Sequence, residues 1–139
     1  MLETQLALAK RNKWPLTVGF VDIDTLKVVN DSHGHIVGDD LIVSISEILK
    51  NNLRQSDTIS RIGGDESLII FPLCTLEEAE ELWKRIEESI YAFNQTMDKP
   101  YMISVSHGFA EYVPGEEISA QELVEIADSK MYQVKKPEA

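Results

Sequence analysis

The sequence predicts one mixed α/β (α+β) domain in which helices flank a central sheet, and three observations carry that prediction. Segments of helical periodicity interleave with short β-branched runs in the order αβααββαβα. Two of the short runs are joined by Gly63-Gly64-Asp65-Glu66, which reads as the tip of a hairpin. The 139 residues contain no linker, repeat or low-complexity tract, and a chain of that length buries about two-thirds of its unfolded surface in a single core.

Each element has its own reason. Leu2, Leu6 and Ala9 share one face of an opening helix. After Pro15, residues 16–21 are apolar and partly β-branched, as in a buried strand, and the run closes on Asp22-Ile23-Asp24. A short helical or looped stretch follows, then Leu41, Ile42, Ile45, Ile48, Leu49 and Leu53 recur at the spacing of a long amphipathic helix. Residues 58–62 and 67–71 form the hairpin strands, with Pro72 closing the second. Gly63 and Gly64 allow positive backbone angles at its tip. Thr75 and Glu78 make a capping-box pattern for a helix that turns Leu76, Ala79, Leu82, Trp83, Ile86 and Ile90 inward. Tyr101, Ile103, Val105, His107 and Phe109 alternate as in a strand. Ser119 with Glu122 opens a last helix bearing Leu123, Ile126, Ala127, Met131 and Val134. Helices of this kind need a sheet to cover, so the expected architecture is a four- or five-stranded, palm-like, ferredoxin-related sheet with the hairpin beside the first strand.

Charge narrows the function. Lys and Arg total 13 against 24 Asp and Glu, a formal charge of −11, and the basic residues are not clustered, which argues against a nucleic-acid binder. An acidic protein that holds a polyphosphate needs a cation to neutralise it, so the excess carboxylates favour a metal; the plainer reading is ordinary solubility. The single cysteine, Cys74, has no internal disulfide partner. There is no signal peptide and no apolar run near the roughly 20 residues that span a bilayer. These features point to a cytoplasmic domain without membrane contact.

Three acidic or polar features converge at one sheet end if the fold is as expected: Asp22 and Asp24, the tip with Asp65 and Glu66, and the loop 30–35. Oxygen ligands from two chain segments suit magnesium bound to triphosphate, with Asp22 and Glu66 the first choices. His33, His35 and His107 are too few and too irregular for a zinc site. His107 is expected to line the core.

The run Arg61-Ile62-Gly63-Gly64-Asp65-Glu66-Ser67 closely resembles the signature of the GGDEF family of diguanylate cyclases, with Ser67 where that family has Phe. Phe20-Val21-Asp22-Ile23-Asp24, Lys27, Asn30-Asp31, Gly34-His35, Gly38-Asp39 and Leu41 resemble its first strand and nucleotide loop. Residues 104–110 and Ala127-Asp128, Met131-Tyr132 and Lys135 extend the similarity over almost the whole chain. The resemblance implies a cyclase that condenses two GTP molecules into cyclic di-GMP and two pyrophosphates at the interface of a transient homodimer, with magnesium or, alternatively, manganese. Carried over by position, Asp22, the Ile23 carbonyl, Asp65 and Glu66 would hold the metal, and Asp65 would accept the 3′-hydroxyl proton. Asn30 and Asp39 would read guanine, with His35 near the base; backbone amides around Thr25, Leu26 and Lys27 would meet the phosphates, and Lys135 would supply a distant positive charge. Arg54 and Asp57 match the family's inhibitory, product-binding motif, although an Arg–Asp pair at that spacing near a helix end is also a common minor stabiliser. Taken singly, Asp24 and Asp39 read as helix N-caps, Asn30-Asp31 as a turn and Lys27 and Lys135 as surface charges.

The chain lacks a segment that would precede residue 1 in the family and a later Arg, so it reads as a catalytic domain excised from a longer protein with an upstream sensory or regulatory region. Ser67 motivates the main rival function, a module of the same fold that binds GTP or cyclic di-GMP as a receptor without turnover. A palm-type enzyme acting on ATP is a third class, opposed by Asp39, whose carboxylate suits the N1 and N2 hydrogens of guanine.

Overall fold

The computed structural model describes residues 1–134. Its elements are α1 (Leu2–Asn12), β1 (Leu16–Ile23), α2 (Leu26–His33), α3 (His35–Asn52), β2 (Thr58–Arg61), β3 (Glu66–Pro72), α4 (Leu76–Thr96), β4 (Val105–Tyr112) and α5 (Ala120–Val134). This is the expected αβααββαβα order. The four strands lie in the order β2-β3-β1-β4, with every neighbouring pair antiparallel, which is the split β-α-β arrangement of ferredoxin-related sheets.

The sheet is covered on both faces. On one, Val21, Ile23, Ile69, Phe71 and Phe109 pack with Leu41, Ile45 and Leu49 of α3 and Leu82, Trp83 and Ile86 of α4. On the other, Leu16, Val18, Phe20, Ile70 and Ala110 pack with Leu2, Leu6 and Ala9 of α1 and Leu123, Ala127 and Met131 of α5. Alternation along β1 divides its side chains between two cores, so all eight of its residues are buried. The one hydroxyl among them that needs a partner, Thr17, donates to the Cys74 carbonyl at 2.8 Å. Gly108 lets α5 lie close: a Cβ there would collide with the α5 backbone at Ala127 and Met131.

Both predicted capping boxes form. Thr75 and Glu78 exchange bonds at the start of α4, and Ser119 and Glu122 do so before α5. Several boundaries differ from the sequence reading. β1 runs two residues further, through Asp22 and Ile23, and α3 begins at His35 rather than near Leu41. Tyr101 and Ile103 are buried as predicted but precede β4. The Asn94 carboxamide takes both the N–H and the carbonyl of Ile103, at 2.8 and 2.9 Å, in place of a neighbouring strand. The strand instead continues to Tyr112, paired with Leu16. Ile126 and Val134 are exposed, off the buried stripe of α5.

Candidate functional site

The sheet register brings two sequence-distant acids together. Asp22 of β1 lies opposite Glu66 of β3, and directly opposed residues of an antiparallel pair have Cβ atoms about 4.5–5.5 Å apart. Asp22 is buried, whereas Asp65 and Glu66 are half-buried. The turn between β2 and β3 is fixed through its backbone. Ile62 and Gly63 N–H both donate to the Glu66 carbonyl, at 2.9 and 3.3 Å, and Ile23 N–H donates to the Asp65 carbonyl at 2.9 Å. Arg61 clamps the tip, its Nε donating to the Gly63 carbonyl at 3.1 Å and its Nη2 to the Gly64 carbonyl at 2.9 Å. Among the described residues the carboxylates of Asp65 and Glu66 make no hydrogen bond or ion pair. The glycines do not adopt the positive φ expected of them. Backbone pairing closes the turn without it, and what Gly64 supplies is open space: a Cβ there would meet nothing within 4 Å.

Asp24 is not a helix N-cap. Thr25 holds that position for α2, with no side-chain cap bond. The Asp24 carboxylate, 1% exposed, instead accepts the Ser104 hydroxyl at 2.9 Å and the Ser106 hydroxyl at 2.7 Å, while its N–H donates to the Ser104 carbonyl. It ties the end of β1 to the approach of β4.

The nucleotide-loop residues lie on two helices that meet at Gly34, whose φ of 86° suits glycine. Asn30 and Asp31 therefore belong to α2 rather than to a turn. Val29 N–H is bonded to the Thr25 carbonyl, so the Leu26 and Lys27 amides precede the first intrahelical bond and are donors available at the helix N-terminus. The Leu26 side chain is buried and Lys27 is exposed. The Asn30 carboxamide lies directly over Gly38, where a Cβ would displace it. Asp39 follows Gly38 inside α3, exposed and well past the N-cap, and His35 opens the helix, also exposed. Asp40, beside Asp39, is committed: it accepts the Tyr101 hydroxyl at 2.5 Å and Lys99 Nζ at 3.0 Å. The Tyr101 bond, then that of Lys99, holds its carboxyl below the usual value of 3.8. Ser44 and Tyr101 are also hydrogen-bonded at 2.9 Å, so α3 is pinned to the segment before β4.

Arg54 and Asp57 sit at the opposite end of the hairpin. Arg54 Nη2 and Nε reach the Asp57 carboxylate at 2.9 and 3.3 Å, Arg54 N–H donates to it at 2.8 Å, and Nη2 also donates to the Pro72 carbonyl at 2.8 Å. The Asp57 bonds hold the Arg54 pKa above its usual value. His107 lies at the core edge, stacked on Trp83 with centroids 4.3 Å apart and bonded to Glu80 at 2.8 Å. Lys135 lies outside the described residues.

Among the described residues no three His, Cys, Asp or Glu side chains form a group able to hold a metal ion by themselves. The Asp22–Glu66 pairing and the uncommitted Asp65 carboxylate nonetheless fit a hard cation whose other ligands are carbonyl, water or phosphate oxygens. Sequence reasoning assigned no role to Asp40 or Asn94, quoted Arg61 only as part of the signature run, and read Tyr101 only as a strand residue. The position of Arg61 two residues before the Gly-Gly pair was the available signal; the others depend on tertiary contacts.

The family model for the diguanylate cyclase GGDEF domain matches residues 1–139. A bifunctional diguanylate cyclase/cyclic di-GMP phosphodiesterase, MucR of Pseudomonas aeruginosa, is 37% identical over 138 residues, covering 96% of this chain and 19% of the relative. The diguanylate cyclase DosC of Escherichia coli K12 is 30% identical over 140 residues, covering 98% and 30%. The chain thus spans less than a third of the length of these relatives. Among solved structures, the GGDEF domain of DgcB from Caulobacter crescentus in complex with c-di-GMP superposes with a TM-score of 0.85 at 28% identity, over 96% of this chain and 80% of that one.

Proposed function

The chain belongs to the GGDEF family of diguanylate cyclases, and on that premise we propose that it condenses two GTP molecules into cyclic di-GMP and two pyrophosphates as half of a transient homodimer. The observation that carries the proposal is the pairing of Asp22 with Glu66 beside a clamped turn whose carboxylates are uncommitted. In this reading each subunit presents one GTP. The 3′-hydroxyl of one nucleotide attacks the α-phosphorus of the other, a P–O bond forms, pyrophosphate leaves, and Asp65 takes the hydroxyl proton. Two such attacks close the ring.

Asp22, the Ile23 carbonyl, Asp65 and Glu66 are the groups proposed to hold magnesium, with manganese as a substitute. When bound, the dication supplies neutralisation of phosphate charge and a lowered pKa for the attacking hydroxyl. The Leu26 and Lys27 amides, at the positive end of α2, suit the β- and γ-phosphates. Asn30 and Asp39 read guanine, Asp39 accepting hydrogens that adenine lacks, and His35 lies beside the base. Lys135 is a further proposed phosphate contact, and Arg54 with Asp57 the proposed site of product inhibition. The domain is proposed to act in the cytoplasm, within a longer protein whose upstream region brings two copies together; the small share of each relative that it covers supports this. No described helix is long and apolar enough to cross a membrane.

A second reading, a receptor that binds GTP or cyclic di-GMP without turnover, is favoured by Ser67, a half-buried polar residue at the start of the strand that carries Glu66. The test is GTP turnover with magnesium in a fused dimer, following cyclic di-GMP and pyrophosphate beside a Glu66→Gln control. Product that disappears in the control supports the cyclase; GTP binding without product supports the receptor.

A further inference from the structure

Beneath the hairpin tip, on the face covered by α3, lies a cavity of about 180 Å³ that borders the proposed metal ligands Ile23 and Asp65 but none of the proposed guanine contacts. Its floor is apolar and buried: Val21 and Ile23 of β1, and Ile45 and Leu49 of α3. Ile59 forms a half-buried wall, and the exposed Lys50 and Arg61 and the half-buried Asp65 are the charged residues of the lining. Ser67 is opposite Val21 in the β1–β3 register and therefore points into the same core layer. It fills little of that space, and its hydroxyl makes no hydrogen bond among the described residues. The floor side chains belong to strands and a helix fixed by backbone pairing, so they cannot close over the gap as a loop would.

We propose that this cavity is a binding site for a small neutral aromatic molecule of one ring, adjoining the proposed metal site at Asp65 but separate from the proposed guanine contacts. Volume and chemistry both select that class. A dry aliphatic cavity of about 150 Å³ accepts a benzene ring, and the apolar floor of Val21, Ile23, Ile45 and Leu49 offers no partner to a charged group set against it. Neither Asn30, His35 nor Asp39 lines the cavity, so ring binding and guanine reading use different walls. The inference does not depend on the cyclase reading, because its readout is binding.

Methyl-resolved NMR of the whole chain titrated with phenol tests it. Saturable shifts should be confined to the methyls of Val21, Ile45, Leu49 and Ile59, with a dissociation constant on the order of 1 mM or tighter. Ser67→Phe, which places a ring in the space, should abolish them; Ser67→Leu, a smaller filling, should weaken binding at least about tenfold and serves if the Phe protein does not fold. A non-hydrolysable GTP analogue with magnesium should leave the phenol shifts in place. Shifts that never saturate, that persist undiminished in folded Ser67→Leu, or that the nucleotide displaces would overturn the proposal. Failure of the nucleotide to bind would count against the guanine site and leave the phenol result standing.

Discussion

The two ends of the β2–β3 hairpin are built from the same residue types and put them to opposite uses. At the base, Arg54 saturates Asp57 and reaches across to the Pro72 carbonyl, leaving the Asp57 side chain fully buried. At the tip, Arg61 binds the carbonyls of Gly63 and Gly64 instead. An arginine that grips backbone shapes a turn without bonding the acids beside it, so the carboxylates of Asp65 and Glu66 stay without a side-chain partner among the described residues. The base spends its carboxylate on holding the fold. Asp39 and Asp40 repeat the contrast on α3, where one acid is bound to Tyr101 and Lys99 and its neighbour stands in solvent.

The largest expected effect tests the tip. In a fused dimer, Asp65→Asn should lower cyclic di-GMP formation about 10²–10⁴-fold, the usual worth of a positioned proton acceptor, while thermal melting stays unchanged or rises because like charges no longer crowd the turn. A melting point that fell with activity would make Asp65 a structural acid and erase the contrast. The base should behave in the reverse way. Asp57→Ala should cost about 1–3 kcal/mol in urea unfolding through the lost charged hydrogen bonds, with GTP binding intact.

Smaller changes sharpen the comparison on α3. Gly38→Ala should displace the Asn30 carboxamide and weaken binding of a GTP analogue by about 0.5–1.5 kcal/mol, the worth of one hydrogen bond, with little change in ATP-analogue binding. The smallest effect concerns pH. Because its hydrogen bonds depress the folded-state pKa of Asp40 below 3.8, the stability it contributes is present above that value and lost as pH falls through the lower folded one. Melting curves should therefore show wild type losing its advantage over Asp40→Asn only in that acid range, and modestly, since the pair is exposed and screened.

Much of the fold was legible because the buried stripes of α1, α3 and α4 and the apolar run of β1 are spelled out by periodicity, and both capping boxes by residue type. The β4 start was not, because Asn94 imitates a strand neighbour for Ile103, a long-range substitution that alternation cannot reveal. In the site, the sequence pointed to Asp22, Asp65 and Glu66 through spacing and resemblance, and the register supplied the pairing of Asp22 with Glu66. It gave Asp24 the wrong task, a helix N-cap, because only the hydroxyls of Ser104 and Ser106, some 80 residues away, commit that buried acid. The helical setting of Asn30 and Asp39 was equally hidden, because Gly34 between α2 and α3 reads as a loop residue.

The account turns on whether the tip acids receive a metal-bound guanine nucleotide. Calorimetric titration of a non-hydrolysable GTP analogue, with and without magnesium and beside the matching ATP analogue, measures that directly. The account predicts binding that requires magnesium, prefers guanine and is lost in Glu66→Gln while Arg54→Ala retains it. Equal binding without the metal, or equal binding of the ATP analogue, would contradict it.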